Sequence, residues 1–180
     1  MSKTALVTGA SEGIGAEFAK ILANLGYDLI LVARSEDKLN QLADRLRSEF
    51  EVNSAVIVAD LSKANAAQDL FQNVEEIGAK VDFLINNAGL LQNGFFTKLS
   101  LKKQEAMISV NVMALTSLTH LFANKMALQG SGHILNVASL AGWMGIPNQN
   151  VYAASKAYVV SFSQALSNEM IAANSGVQVT

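Results

Sequence analysis

Five-residue apolar runs alternate along this chain with longer stretches in which apolar residues recur every three or four positions. The first pattern suits strands buried on both faces and the second suits amphipathic helices, so the alternation predicts an α/β fold. Strands are expected at about 4–8, 28–33, 54–59, 81–85 and 132–137, each closing near Gly, Asn, Asp or Ser, with a sixth at 176–180. Between them, Ile14, Phe18, Ile21, Leu22 and Leu25 form one helical stripe. Leu39, Leu42, Leu46 and Phe50 form a second, and Leu70, Val74 and Ile77 a third. Two longer helices, about 100–128 and 151–174, carry Ala, Leu, Met and Ser on more than one face and so require neighbours on two sides. Right-handed crossovers wind such a series into a doubly wound parallel sheet with helices on both faces and ligands beyond the carboxyl ends of the strands.

At 180 residues the chain has room for one domain, 1–180, and shows no repeat, linker or low-complexity segment. Charged residues make up 16% against a typical ~25%, and hydrophobic residues 51%, which leaves apolar surface to be buried between subunits. The absence of cysteine removes disulfides, thiol catalysis and zinc sites built on sulfur, and suits a reducing compartment. A net charge of -2 provides no basic footprint for a nucleic acid. The longest uninterrupted apolar runs, such as Leu29–Ala33, are five residues, against the ~20 needed to cross a bilayer, so no membrane span is expected. Met1-Ser2-Lys3 runs straight into the first strand with no secretory h-region, and the expected location is the cytoplasm. His120 and His133 lie on different elements without partners at ligand spacing, so no metal is expected.

The turn after the first strand reads Thr8-Gly9-Ala10-Ser11-Glu12-Gly13-Ile14-Gly15. Glycines in such a turn let the backbone approach a pyrophosphate, which the free N–H groups and positive end of the following helix attract. The alternative is a tight turn whose glycines serve packing alone. The spacing, G-x-x-x-G-x-G, departs from the usual G-x-G-x-x-G. Where an NAD-binding fold places an acid on the ribose, the second strand ends in Ala33 and Arg34. A guanidinium suits a 2'-phosphate, so the local chemistry favours NADP, with NAD the alternative. Glu12 argues the other way. Asp60, in Asp60-Leu61-Ser62, accepts from an adenine amino group or, with Ser62, caps the next helix. Asn86-Asn87-Ala88-Gly89 ends the fourth strand with small and amide residues that permit close cofactor approach.

Ser139 ends the fifth strand, and a glycine-bearing loop leads from it to Tyr152 and Lys156, one turn apart on one helical face. Free tyrosine titrates near ~10, and a neighbouring ammonium stabilises the phenolate. Tyr152 can then exchange a proton with a substrate oxygen that Ser139 holds. Trp143 and Met144, lying between them, point to an apolar substrate wall or to ordinary packing, and Met107, Met113 and Met126 to core or interface.

TGASEGIG, NNAG, a serine thirteen residues before YAASK, and Asn111 between them resemble the short-chain dehydrogenase/reductase family over nearly the whole chain. The resemblance implies a Rossmann-like fold and hydride transfer between a nicotinamide and a carbonyl or secondary alcohol. It implies Ser139, Tyr152 and Lys156 as a catalytic triad with Asn111 as a fourth member, through which a water joins the lysine to solvent; a polar helix kink is the other reading of Asn111. By the same resemblance Gly9, Ser11, Gly13, Ile14 and Gly15 hold the pyrophosphate and ribose, and Asp60, Leu61, Asn87, Ala88 and Gly89 line the adenosine side. Family members commonly pair the two long helices about a twofold axis, so a homodimer or homotetramer is expected. They also run longer than this chain, which implies a domain incomplete at its C-terminal end, with the last strands and the substrate-binding segment missing. Two rivals follow: a dinucleotide-sensing protein without catalysis, and a truncated, inactive chain that serves as a subunit.

Overall fold

The computed structural model describes residues 2–180. Strand β1 (Thr4–Thr8) is followed by α1 (Gly13–Asn24), β2 (Asp28–Ala33), α2 (Glu36–Phe50) and β3 (Ser54–Val58). Then come α3 (Ala66–Glu76), β4 (Val81–Asn86), α4 (Leu101–Ile108), α5 (Leu115–Gln129), β5 (Gly132–Asn136), α6 (Asn150–Ala172) and β6 (Val177–Val179). All five pairings are parallel and the order is β3-β2-β1-β4-β5-β6. Connectivity reverses between β1 and β4, and at such a switch point the flanking loops part and leave a crevice at the carboxyl edge.

Alternation along the strands sends side chains to two cores. Ala5, Val7, Leu29 and Leu31 pack with Leu22, Leu39 and Leu46 of α1 and α2 on one face. Leu6, Ile30, Val32, Leu84 and Ile134 pack with Leu70 and Val74 of α3 and Leu118, Phe122 and Met126 of α5 on the other. The doubly wound α/β arrangement read from the sequence is therefore observed, with every strand within a residue or so of its expected limits.

Four expectations are corrected. The stripe proposed for α1 is its buried face only in part: Leu22 is buried and Phe18 packs against the core, but Ile14, Ile21 and Leu25 are 63%, 56% and 65% exposed, and the rest of the buried face is Gly15, Ala19 and Ala23. Small size decides this face, because a Cβ at Gly15 would lie 2.2 Å from the Gly9 carbonyl oxygen. Ile77, the third member of the α3 stripe, stands just past that helix and is exposed. The strand at 54–59 is not buried on both faces, since β3 is the sheet edge and Val58 is exposed. Finally, the 29-residue helical stretch Leu101–Gln129 is long and apolar enough to cross a membrane, which the run-length argument overlooked because polar residues interrupt it. Half of its most apolar window is buried in the protein, with Leu115, Leu118, Phe122 and Met126 in the core against the sheet.

Candidate active site

A cavity of about 380 Å³ opens at the switch point. Gly9, Ser11 and Glu12 wall it from the β1–α1 turn, Arg34 and Lys38 from the end of β2 and the first turn of α2, Asp60 and Leu61 from the loop after β3, and Asn87, Ala88 and Gly89 from the end of β4. Nine of the residues singled out in the sequence thus meet around one space. Gly13, Ile14 and Gly15 open α1 beside it rather than lining it.

The turn is built for close approach. Gly9 sits at φ +66, in the left-handed region that favours glycine, and a Cβ there would come within 2.9 Å of the Ala88 backbone. Glu12 occupies the N-cap position of α1 without bonding the helix through its side chain. The first-turn amides are left free of side-chain caps, as an anion at a helix N-terminus requires. Gly9 and Gly15 thus serve the packing of the turn, and the feature that suits a diphosphate is the uncapped N-terminus of α1 beside the cavity.

Thr8, buried at the end of β1, ties the two glycine-bearing loops together. Its hydroxyl accepts from the backbone N–H of Asn87 and of Ala88, each at 3.0 Å, and donates to the Ile85 carbonyl. Asn87 Nδ2 donates to the carbonyls of Thr8 (2.9 Å) and Gly9 (3.2 Å). Its amide thus clamps the turn while its backbone lines the cavity. Neither helix-cap reading of Asp60-Leu61-Ser62 holds, because α3 begins at Ala66 with Asn65 as its N-cap residue. Asp60 Oδ1 instead accepts from the Ser62 hydroxyl (2.7 Å) and backbone N–H (3.1 Å), and these bonds hold its carboxyl below the usual carboxylate range.

Beyond Gly89 the cavity meets the second group of residues. A Cβ at Gly89 would lie 3.5 Å from Asn111 Oδ1 and 3.7 Å from Lys156 Nζ. Lys156 is 4% exposed, donates to the Val137 carbonyl at 2.7 Å, and lies with Nζ 5.9 Å from the Tyr152 ring centroid. Burial lowers its pKa from the ordinary 10.5 to about 8. Ser139 heads a short 3₁₀ turn, Leu140–Trp143, and its Oγ accepts from the Ala141 N–H at 3.2 Å. With a lone pair engaged there, its O–H is left to donate elsewhere. Gly142 lets this turn press on α6, since a Cβ there would be 2.8 Å from the Lys156 carbonyl.

Asn111 lies in a π-helical turn, Ser109–Ala114, between α4 and α5. It is fully buried. Its Oδ1 accepts from the Leu90 N–H at 2.8 Å, and Nδ2 donates to the Leu90 carbonyl and to Ser155 Oγ, each at 3.0 Å. Ser155 in turn donates to the Tyr152 carbonyl at 2.7 Å. The side chain therefore joins the loop after β4 to the helix carrying Tyr152 and Lys156. Trp143 and Met144 are 67% and 65% exposed, which removes ordinary core packing as their role, whereas Met107 and Met126 are core.

Sequence reasoning overlooked Thr8, Ser155 and Lys38. Thr8 and Ser155 stood inside quoted motifs, but a short hydroxyl carries no signal until its partners are known. Lys38 resembles any basic residue on an exposed helical face.

Sheet order, switch-point cavity and glycine turn place the chain among dinucleotide-binding proteins of the Rossmann type. Residues 3–180 match the short chain dehydrogenase family, and the chain belongs to it. It is 35% identical over 178 residues to an uncharacterised oxidoreductase of Staphylococcus saprophyticus, covering 99% of this chain and 75% of that protein. Among solved structures, a short-chain dehydrogenase from Sphingobium yanoikuyae in complex with NADPH superposes with a TM-score of 0.92 at 38% identity, covering 99% of this chain and 68% of that one. A bulky-bulky ketone specific alcohol dehydrogenase from Comamonas testosteroni superposes equally well, with TM-score 0.92, 35% identity, and 99% and 70% coverage. The chain spans between 54% and 75% of the lengths of such curated relatives.

Proposed function

We propose that the protein is an NADP-preferring oxidoreductase that interconverts a carbonyl compound and a secondary alcohol. The observation that carries this reading is the junction at Gly89, where the wall of the dinucleotide cavity touches Lys156 and Asn111. The β1–α1 turn and the residues around Arg34 and Asp60 would hold NADP(H), which would supply or accept the hydride. Ser139 donates a hydrogen bond to the substrate oxygen. In the reducing direction Tyr152 passes its phenolic proton to that oxygen as hydride reaches the carbon, and the Lys156 ammonium stabilises the phenolate left behind until water reprotonates it. Asn111 positions this pair through Ser155. The exposed Trp143 and Met144 beside Ser139 favour a substrate with apolar substituents, in keeping with the ketone preference named for the Comamonas relative. The test is to follow NADPH oxidation over a panel of bulky and small ketones; no turnover by the protein on any carbonyl, or on alcohols with NADP, would favour the non-catalytic readings.

Cofactor choice has its own test. Arg34 lines the cavity with no carboxylate within ion-pair distance among the described residues. Arg34→Ala is expected to remove a charge-assisted contact of ~1 to 2 kcal/mol, and so about a tenfold preference for NADP over NAD, with NAD affinity nearly unchanged. Calorimetric titration of both dinucleotides decides it, and equal losses for the two would show that Arg34 does not touch the 2'-phosphate.

A homodimer or homotetramer also belongs to this reading. Met113, Leu128, Tyr158 and Ile171 lie exposed on the helices between Leu101 and Ala172, and charged residues are scarce. An isologous interface would cover such faces. Light scattering at micromolar concentration is expected to give a mass of at least twice the chain, and a monomer would refute it.

A further inference from the structure

Two cations face the adenosine end of the cavity, and they are not equally available. Arg34 is unpaired among the described residues, whereas Lys38 Nζ lies 2.5 Å from Glu12 Oε2. This bond joins the β1–α1 turn to the first turn of α2, and both partners line the cavity. Glu12 is free to make it because its side chain does not cap α1. The Lys38 hydrogen bond and charge, with Arg34 more distant, hold the Glu12 carboxyl below its ordinary value, so it stays ionised at neutral pH.

Resting on the proposed use of NADP(H), we infer that Glu12 throttles selectivity for the 2'-phosphate by holding Lys38 in an ion pair in the cavity wall, with which a bound 2'-phosphate would compete. An NAD molecule, with a hydroxyl in place of the phosphate, leaves the pair intact. An NADP molecule takes Lys38 for its phosphate and leaves Glu12 as an unpaired carboxylate beside a dianion. Selectivity is the difference between these two costs, and a repulsive group lowers it as surely as an attractive group raises it. Arg34 thus sets the preference and Glu12 reduces it. The pair is solvent-exposed, so its effect is modest and fades with salt.

The test needs binding alone. Calorimetry with NADP, NAD and 2',5'-ADP on the wild type, Glu12→Gln, Lys38→Met and the double variant separates the outcomes. Glu12→Gln is expected to tighten NADP and 2',5'-ADP about fivefold at low salt, the scale of an exposed ion pair, with NAD changed less than about twofold. Lys38→Met is expected to weaken NADP, and Glu12→Gln to lose most of its effect in that background. At high salt the gain should shrink. NADP affinity unchanged by Glu12→Gln, or the same gain with and without Lys38, would overturn the inference while leaving the dinucleotide reading intact. Wild-type protein that binds neither dinucleotide would overturn both.

Discussion

Tyr152→Phe is expected to lower turnover by at least two orders of magnitude, the ~10²- to 10⁴-fold scale of a positioned acid, while dinucleotide affinity changes little. The substitution removes one oxygen and keeps the ring, so the packing of α6 and the Lys156 ammonium over that ring, 5.9 Å from its centroid, are preserved. What is lost is the phenolic proton that the proposed mechanism passes to the substrate oxygen. Ser139 Oγ accepts from the Ala141 N–H and has its hydroxyl proton to give as a hydrogen bond, which is the lesser role the proposal assigns to it. The measurement is single-turnover NADPH oxidation beside calorimetric binding. Turnover within about tenfold of wild type would remove Tyr152 from the proton-transfer step.

Lys156→Met should abolish turnover to a similar degree and at the same time stabilise the fold at neutral pH. The lysine is buried and its pKa is lowered from 10.5 to about 8 by desolvation, so at pH 7 the folded chain carries an ammonium in a place that disfavours charge. Integrated over that difference, the cost is on the order of 3 kcal/mol. The hydrogen bond to the Val137 carbonyl is lost with the charge, which returns about 1 kcal/mol of it. A net gain of about 2 kcal/mol corresponds to a rise in Tm of several degrees for a domain of this size. The sign with pH follows. Between about 8 and 10.5 the unfolded lysine holds a proton that the folded one has released, so wild-type stability rises through that window and the advantage of the methionine variant disappears above it. Thermal melts at pH 7 and pH 10.5 check both halves. A lower Tm for Lys156→Met at pH 7 would show that the ammonium is better solvated than its burial implies.

Much of this protein is determined by local sequence. The inner strands are short apolar runs whose two faces both need cover, so periodicity alone places β1, β2, β4 and β5 and implies a parallel sheet. The glycine turn, the NNAG segment and Ser139 follow strand ends, strand ends at one edge of a parallel sheet must lie near each other, and Tyr152 and Lys156 come soon after Ser139 on α6. The expectation that the Ser139–Lys156 group and the glycine turn share one edge of the sheet therefore comes from the order of residues alone.

What only the tertiary structure decides involves partners far apart in the chain or the dielectric around a group. The buried face of α1 is chosen by the approach of Gly15 to the Gly9 carbonyl and not by Ile14, Ile21 and Leu25, because contact distance there outweighs apolar area. Thr8 becomes a clamp because β1 and β4 are neighbours in the sheet, and Asn111 because a π-helical turn brings it against Leu90 and Ser155. The lowered pKa of Lys156 depends on how completely α6 and the end of β5 exclude water, and no pattern in the sequence measures that. Glu12 and Lys38 are ordinary surface residues until the β1–α1 turn and α2 place their Oε2 and Nζ 2.5 Å apart in the wall of the cavity. Side-chain periodicity reports which residues seek burial, whereas distance, dielectric and ion pairing arise only once elements remote in sequence are packed together.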